Sequence, residues 1–176
     1  MKPQKSSFDV LGQMGALRRY ARSLTRDVND AEDLVHDALV RAYERRASFR
    51  PSGNIRSWLL SIVHNTFIDG VRSRRSEAAR NAESERHGSL AMAAPQEHSV
   101  RLSQVREAFL DLPEEQRAAI HLVAIEGLSY QEASDALGIP LGTLMSRIGR
   151  ARAALRDIED GGSRRGSHLR IVGDPK

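Results

Sequence analysis

The chain lacks cysteine and contains no long apolar run. Without cysteine it has no disulfide, no thiol nucleophile and no thiolate metal site, which is typical of proteins of the reducing cytoplasm. No apolar stretch approaches the roughly 20 residues needed to cross a bilayer. The polar first seven residues lead into no apolar signal core. We therefore expect a cytoplasmic protein without direct membrane insertion.

Lysine is also scarce, so arginine carries nearly all of the positive charge. Of the 27 basic residues 24 are arginine, the net charge is +4 and the isoelectric point is about 9.9. Planar guanidinium groups fit phosphates and the edge of guanine, so this composition favours a nucleic-acid partner. A GC-rich genome, whose codons favour arginine, explains the same composition equally well.

Large apolar residues nearly vanish between residues 76 and 100. Such a segment buries too little surface to offset its ordering entropy, so it predicts a flexible linker. Residues 159–176, rich in Gly, Ser and Arg, predict a disordered tail. Apolar residues recur at helical spacing on both sides of the linker. We expect an all-α protein made of two small helical domains, at 10–75 and 101–158.

Three amphipathic helices are predicted in the first domain. Asn29 or Asp30 is expected to cap the second helix, and Asn54 to cap the third. Tyr43 falls on the apolar stripe of the second helix, whose other side carries Asp33 and Asp37. Trp58 falls on the apolar stripe of the third helix, which favours a core position over base stacking.

A helix-turn-helix is predicted near the end of the second domain. Ser129 and Glu132 have the spacing of a capping box, and Gly138 permits the left-handed turn between the two helices. Apolar residues of the final helix then point inward. The residues left facing outward can bind phosphate or base edges, and they are Thr143, Ser146, Arg147 and Arg150. A plain helical hairpin with a solvated basic face is the alternative.

Two separate parts of the chain resemble one family. LPEEQR (112–117), EGLSYQEA (126–133) and LGIPLGTLMSRIGRAR (137–152) are similar to the fourth domain of bacterial sigma-70-type factors, in particular the extracytoplasmic-function group. DAEDLVHDA (30–38) and IRSWLLSIVHNTFID (55–69) are similar to the second sigma domain. The resemblance covers about residues 10–75 and 101–157. Two matched blocks in the right order are more specific than a lone helix-turn-helix.

The resemblance implies a sigma factor that binds core RNA polymerase, reads the −35 element with its fourth domain and opens the −10 element with its second. It implies an anti-sigma factor that holds the protein inactive until a stress or environmental signal. The outward residues of the last helix would contact the −35 element. The predicted −10 contacts are Arg56, Asn65, Asp69 and Arg72, with residues 49–54 as the base pocket. The predicted polymerase contacts are Asp33, His36, Asp37 and Val40.

Three residues depart from the pattern of this family. His36 stands where glutamine is most frequent, Met145 stands where many relatives have a basic residue, and Gly149 stands where they have a larger one. Met145 cannot donate a hydrogen bond to a phosphate or a base. We therefore expect a −35 preference that differs from the family's common G-rich start.

Other classes of function fit the sequence less well. The six histidines are scattered without metal-ligand spacing, and no phosphate-binding loop is present. Asp33 and Asp37 lack the second acidic motif that a magnesium-dependent helical enzyme would need. We expect no catalytic residue, no metal and no cofactor. The main alternative is a polymerase-independent regulator, which would bind palindromic operators as a dimer.

Overall fold

Seven helices form the described part of the chain, residues 9–80 and 97–164 of a computed structural model. They are α1 (Met14–Thr25), α2 (Val28–Glu44), α3 (Ile55–Arg80), α4 (Glu97–Asp111), α5 (Glu114–Ile120), α6 (Tyr130–Leu137) and α7 (Leu141–Arg164). Short 3₁₀ turns lie at Leu11–Gln13 and Arg46–Ser48. No strand occurs among these described residues, and the all-α prediction is confirmed.

Capping residues set the ends of the first three helices. The prediction that Asn29 or Asp30 caps α2 is wrong, because Asp27 does so: its Oδ1 accepts from the backbone N–H groups of Asn29 at 2.7 Å and Asp30 at 3.0 Å. Arg26 ends α1 in the left-handed region with φ 62°, so only Asp27 separates it from α2. Asn54 caps α3 as predicted, its Oδ1 accepting from the N–H of Arg56 at 3.0 Å.

The second half of the chain contains the predicted helix-turn-helix. Ser129 and Glu132 form a complete capping box at the start of α6. Gly138 makes the turn to α7 with φ 62°. Glycine adopts this left-handed conformation without the steric strain that a Cβ would cause. Before it, α5 widens into a π-helical turn at His121–Ile125, so that the N–H of Glu126 bonds to the carbonyl of His121 at 3.1 Å. This turn carries Glu126 into the interior of the protein.

Helices extend into the segments predicted to be linker and tail. Helix α3 continues to Arg80 and α4 begins at Glu97, so helices cover both ends of the segment 76–100. Helix α7 likewise continues to Arg164. Residues of high helix propensity extend α3 past its last large apolar side chain. The rest of the predicted linker, 81–96, and of the predicted tail, 165–176, lies outside the described residues.

The two helical blocks share one apolar core. Helix α3 packs against α6, and α1 packs against α5, so that the largest buried cluster contains side chains from both blocks. Tyr20 and Leu17 of α1 and Leu122 and Leu144 of the second block all belong to it. A smaller cluster of Leu112, Ile120 and Ala151 joins α5 to α7. The structure therefore shows the two blocks packed together.

Candidate polymerase-binding and promoter-binding surfaces

Helix α7 is held by its apolar side and leaves one long face in solvent. Leu144, Ile148 and Ala151 are buried, at the spacing predicted from the sequence. Buried Ser134 fixes the turn before α7, since its Oγ donates to the carbonyl of Ile139 at 2.7 Å. Being small, it also lets α6 approach α7 closely.

The four predicted −35 contacts do not all lie on the open face. Ser146 and Arg150 do, and the Nη2 of Arg150 donates to the Oγ of Ser146 at 3.2 Å. Thr143 is half-buried. The prediction that Arg147 faces outward is wrong: its side chain is only 18% exposed, and its Nη2 lies 2.8 Å from the Oε2 of Glu115. Because α5 packs against α7, Glu115 is close enough to pair with it.

The predicted −10 contacts separate into two groups. Asn65, Asp69 and Arg72 are exposed at positions i, i+4 and i+7 of α3. Asp69 pairs with Arg41 of α2 at 2.7 Å. Arg56 lies apart from them, at the other end of α3 and half-buried. Its guanidinium donates to the side chain of Gln13 at 2.9 Å and to the carbonyl of Glu126 at 3.2 Å.

The loop before α3, predicted as a base pocket, contains an aromatic contact. The rings of Phe49 and Trp58 lie 5.4 Å apart between centroids, with an angle of 54° between their planes. Trp58 also packs against the core, which confirms its predicted placement. The capping residue Asn54 donates from Nδ2 to the Oε1 of Glu132 at 2.7 Å, so the loop is tied to α6.

The predicted polymerase-binding residues share the exposed side of α2. Asp33, His36, Asp37 and Val40 are all exposed. Tyr43, which the sequence placed on the apolar stripe of α2, is also exposed, and the guanidinium of Arg46 lies 4.1 Å above its ring. That prediction is wrong because the packing leaves the last turn of α2 uncovered on this side. Val40 and Tyr43 add apolar surface to an acidic helix face.

A cluster of charged and polar groups around one buried carboxylate joins α1 to the π-helical turn. Arg19 donates to both carboxylate oxygens of Glu126, at 3.0 Å and 2.9 Å, and His121 Nε2 lies 3.3 Å from Glu126 Oε1. The Glu126 side chain is 0% exposed. Burial raises the pKa of this carboxyl, but the hydrogen bonds with His121 and Arg19 outweigh it and hold the pKa below its usual value. Residue spacing did not reveal this cluster, since Arg19 and Glu126 are 107 positions apart.

Tyr20 is fully buried beside this cluster, between two histidine rings. Its ring centroid lies 5.2 Å from that of His121 and 6.3 Å from that of His64. Its hydroxyl lies 3.0 Å from His64 Nδ1. Burial, and then the charge of Arg147, lower the pKa of His64 to about 4, while burial raises the pKa of Tyr20. At neutral pH both groups are therefore uncharged, and the phenol hydroxyl and the imidazole share a hydrogen bond.

Buried Arg117 and the exposed side chain of Arg26 make further links between the blocks. Arg117 Nε donates to the carbonyl of Ser23 in the first block at 2.6 Å, and its Nη1 donates to the carbonyl of Leu112 within the second block at 2.5 Å. Arg26 donates to the carbonyl of Leu110. These backbone carbonyls lie at helix ends, where they have no partner within the helix. The contact between the blocks therefore combines an apolar core with both buried and exposed polar links.

Comparison with known proteins identifies the two blocks. Residues 13–77 match the family model of sigma-70 region 2, and residues 102–155 match that of sigma-70 region 4. The chain is 35% identical over 147 residues to the ECF RNA polymerase sigma factor EcfG of Rhodopseudomonas palustris, with 84% of this chain and 81% of that protein covered. The chain belongs to the extracytoplasmic-function group of sigma-70 RNA polymerase sigma factors.

Two solved structures have the same fold as this chain. The sigma factor RpoE of Bartonella quintana, solved in complex with the anti-sigma factor NepR, matches with a TM-score of 0.74 and 34% identity, covering 85% of this chain and 93% of that one. CnrH, solved in complex with the cytosolic domain of CnrY, matches with a TM-score of 0.61 and 32% identity, covering 86% and 85%.

The described residues contain neither a candidate membrane span nor a candidate metal site. No helix in 9–80 or 97–164 is long and apolar enough to cross a membrane. In the same ranges, no group of three or more His, Asp or Glu side chains could hold a metal ion.

Proposed function

We propose that this sigma factor binds core RNA polymerase in the cytoplasm and directs initiation at its own set of promoters, as a subunit that catalyses no reaction. The matches to regions 2 and 4, in that order in one chain, carry this proposal. A polymerase-independent regulator would use the first block for dimerisation or signal binding, and neither role requires the match to region 2. Three exposed helix faces are available for the three contacts: α2 for polymerase, α3 for the −10 element and α7 for the −35 element.

Within region 4, Arg150 and Arg147 have different roles in this proposal. Arg150 is exposed, and among the described residues its guanidinium bonds only to Ser146, so it can move to a base edge of the −35 element. Arg147 is half-buried and paired with Glu115, so it braces α7 against α5. Thr143 and Ser146 supply hydroxyls near the start of α7, where phosphate binding is favoured.

Within region 2, Asn65, Asp69 and Arg72 form the −10 surface, and the loop at 49–54 receives an unstacked base. Capturing a base from the stack costs a few kcal/mol, which stacking and phosphate contacts offset. Arg56 follows this loop in the chain and becomes available to DNA only after it leaves Gln13 and Glu126. The packed arrangement of the two blocks therefore withholds one of the proposed DNA contacts.

The same arrangement suits control by an anti-sigma factor. The two solved relatives of this fold are held in complexes with NepR and with CnrY. We propose that a comparable partner binds this chain and keeps it from polymerase until a stress or environmental signal releases it. Exposed Leu102 and Val105 on α4, and Val40 and Tyr43 on α2, offer apolar surface to such a partner.

Transcription in vitro tests the proposal. Purified chain added to bacterial core RNA polymerase should produce start sites that core enzyme alone does not use. Asp33→Arg combined with Asp37→Arg should abolish these starts and weaken binding to core enzyme. Because both side chains are exposed, the fold should change in stability by no more than about 0.5 kcal/mol per site.

The control is Glu107→Arg on α4, an exposed reversal away from α2, which should initiate normally. Full activity of the Asp33/Asp37 variant would reject the polymerase assignment of α2. Binding of the chain alone to palindromic operators, without polymerase, would instead support the regulator.

A further inference from the structure

Met145 stands at the centre of the open face of α7. It lies one turn after the start of the helix, and 52% of it is exposed. Gly142 and Gly149 share its stripe at i−3 and i+4, and a Cβ at either position would meet no atom within 4 Å. Met145 therefore projects between two glycines on this stripe of α7.

The fold does not account for this apolar side chain. Met145 belongs to neither apolar cluster among the described residues, and buried Leu144 and Ile148 already anchor α7. Leu141, one turn earlier, is also exposed. Within the fold, a polar side chain at position 145 would thus cost little, which points to contact with something outside the chain.

The neighbouring side chains favour DNA as that contact. Ser146 and Arg150 lie beside Met145 on the same open face, and Arg152 follows on the exposed side. An apolar group surrounded by guanidinium and hydroxyl groups finds one apolar partner in the major groove, the C5-methyl group of thymine. Methionine is unbranched and polarizable, so it can adapt its shape to such a contact.

We propose that Met145 is a specificity-determining residue that packs on a thymine methyl group in the −35 element. This inference rests on the proposed function, because it requires α7 to enter the major groove of that element. It predicts a preference for an A·T pair, with thymine on the strand facing Met145, beside the base pair that Arg150 reads. The flat surfaces at Gly142 and Gly149 allow the helix backbone to approach the groove at this point.

A methyl-deletion experiment tests the contact. Holoenzyme reconstituted with core RNA polymerase first selects its best −35 sequence from promoter duplexes with a randomised −35 region. Each thymine of that sequence is then replaced by uracil, which lacks only the C5-methyl group. At one position uracil should weaken promoter binding about fourfold, the effect of removing one buried methyl group.

Two variants of similar size assign the effect to Met145. Met145→Leu keeps an apolar side chain and should retain the sensitivity to uracil, whereas Met145→Gln should bind thymine and uracil promoters equally. The matched control is Val28→Gln on α2, an exposed apolar residue far from α7, which should behave as wild type.

The outcomes separate the two proposals. Promoter-dependent initiation with the same uracil response in wild type and Met145→Gln would overturn the role of Met145 and leave the proposed function intact. Loss of binding to core enzyme in Met145→Gln, with an unchanged base preference, would assign Met145 to a protein contact and also overturn the inference. Failure of the wild-type chain to start transcription from any duplex would overturn both proposals.

Discussion

Replacing Glu126 by Gln should loosen the contact between regions 2 and 4 without changing the shape of the buried side chain. In the wild type this carboxylate accepts two hydrogen bonds from Arg19 and lies 3.3 Å from His121 Nε2. The amide keeps at most one acceptor for Arg19 and removes the charge. A hydrogen bond to a charged group makes a net contribution of about 1.5–3 kcal/mol to the free energy of unfolding.

The expected loss is about 2 kcal/mol of the free energy of unfolding. The lower part of that range applies because the Arg19 side chain is 54% exposed and solvent screens its charge. Leaving the full charge of Arg19 beside a neutral amide adds little, since the guanidinium can turn to water. Equilibrium unfolding in urea, followed by circular dichroism, measures this difference.

Two adjacent arginines provide a matched double-mutant cycle. Arg19→Met combined with Glu126→Gln should show a coupling energy of at least about 1 kcal/mol, because this pair joins two blocks through a buried carboxylate. Arg18→Met combined with Glu32→Gln should show less than about 0.5 kcal/mol, because both side chains of that 2.9 Å pair are well exposed. Equal coupling energies for the two pairs would refute the structural role of Glu126.

Three further predictions concern the interface, its pH dependence and the recognition helix. If a specific protease site is inserted between Arg80 and Glu97, the two cleaved halves should still co-elute on size exclusion, because they share one core; separate elution would contradict the observed packing. Stability should fall by up to about 3 kcal/mol as the pH drops from 6.5 to 4, because burial lowers the pKa of His64 to about 4 and the unfolded chain binds the proton first. In a His64→Gln variant the free energy of unfolding, measured in urea, should depend less on pH over that range. An unchanged pH dependence would exclude His64 as the cause. In holoenzyme, Arg150→Ala should relax the base preference at one −35 base pair and weaken the free energy of promoter binding by about 1–3 kcal/mol. Arg147→Ala should instead lower the stability of the fold and weaken binding to all promoters alike. An altered base preference in Arg147→Ala would show that the pairing of Arg147 with Glu115 breaks on DNA.

Patterns within a few residues were sufficient to predict most of the local structure. Helical spacing of apolar residues predicted the helices, the capping box at Ser129 predicted the start of α6, and Gly138 predicted the turn. Such features depend on bonds between neighbours in the chain, so the sequence displays them directly. The cap of α2 was misplaced by two or three residues because Asp27, Asn29 and Asp30 all have suitable side chains. The extended backbone of Asp27, directly after left-handed Arg26, makes it the cap.

The packing of the helices against one another decided which side chains are buried and which are paired. Whether Arg147 faces solvent depends on Glu115 of α5, and whether Tyr43 is covered depends on which helices reach the end of α2. The pairing of Arg19 with Glu126 joins residues 107 positions apart. Each of these side chains satisfies its local pattern in either environment. The sequence alone therefore determined the helices, their order and the family, because these depend on short-range bonding and apolar spacing. Only the tertiary structure determined which charged groups are buried and paired, because that depends on how distant surfaces fit together.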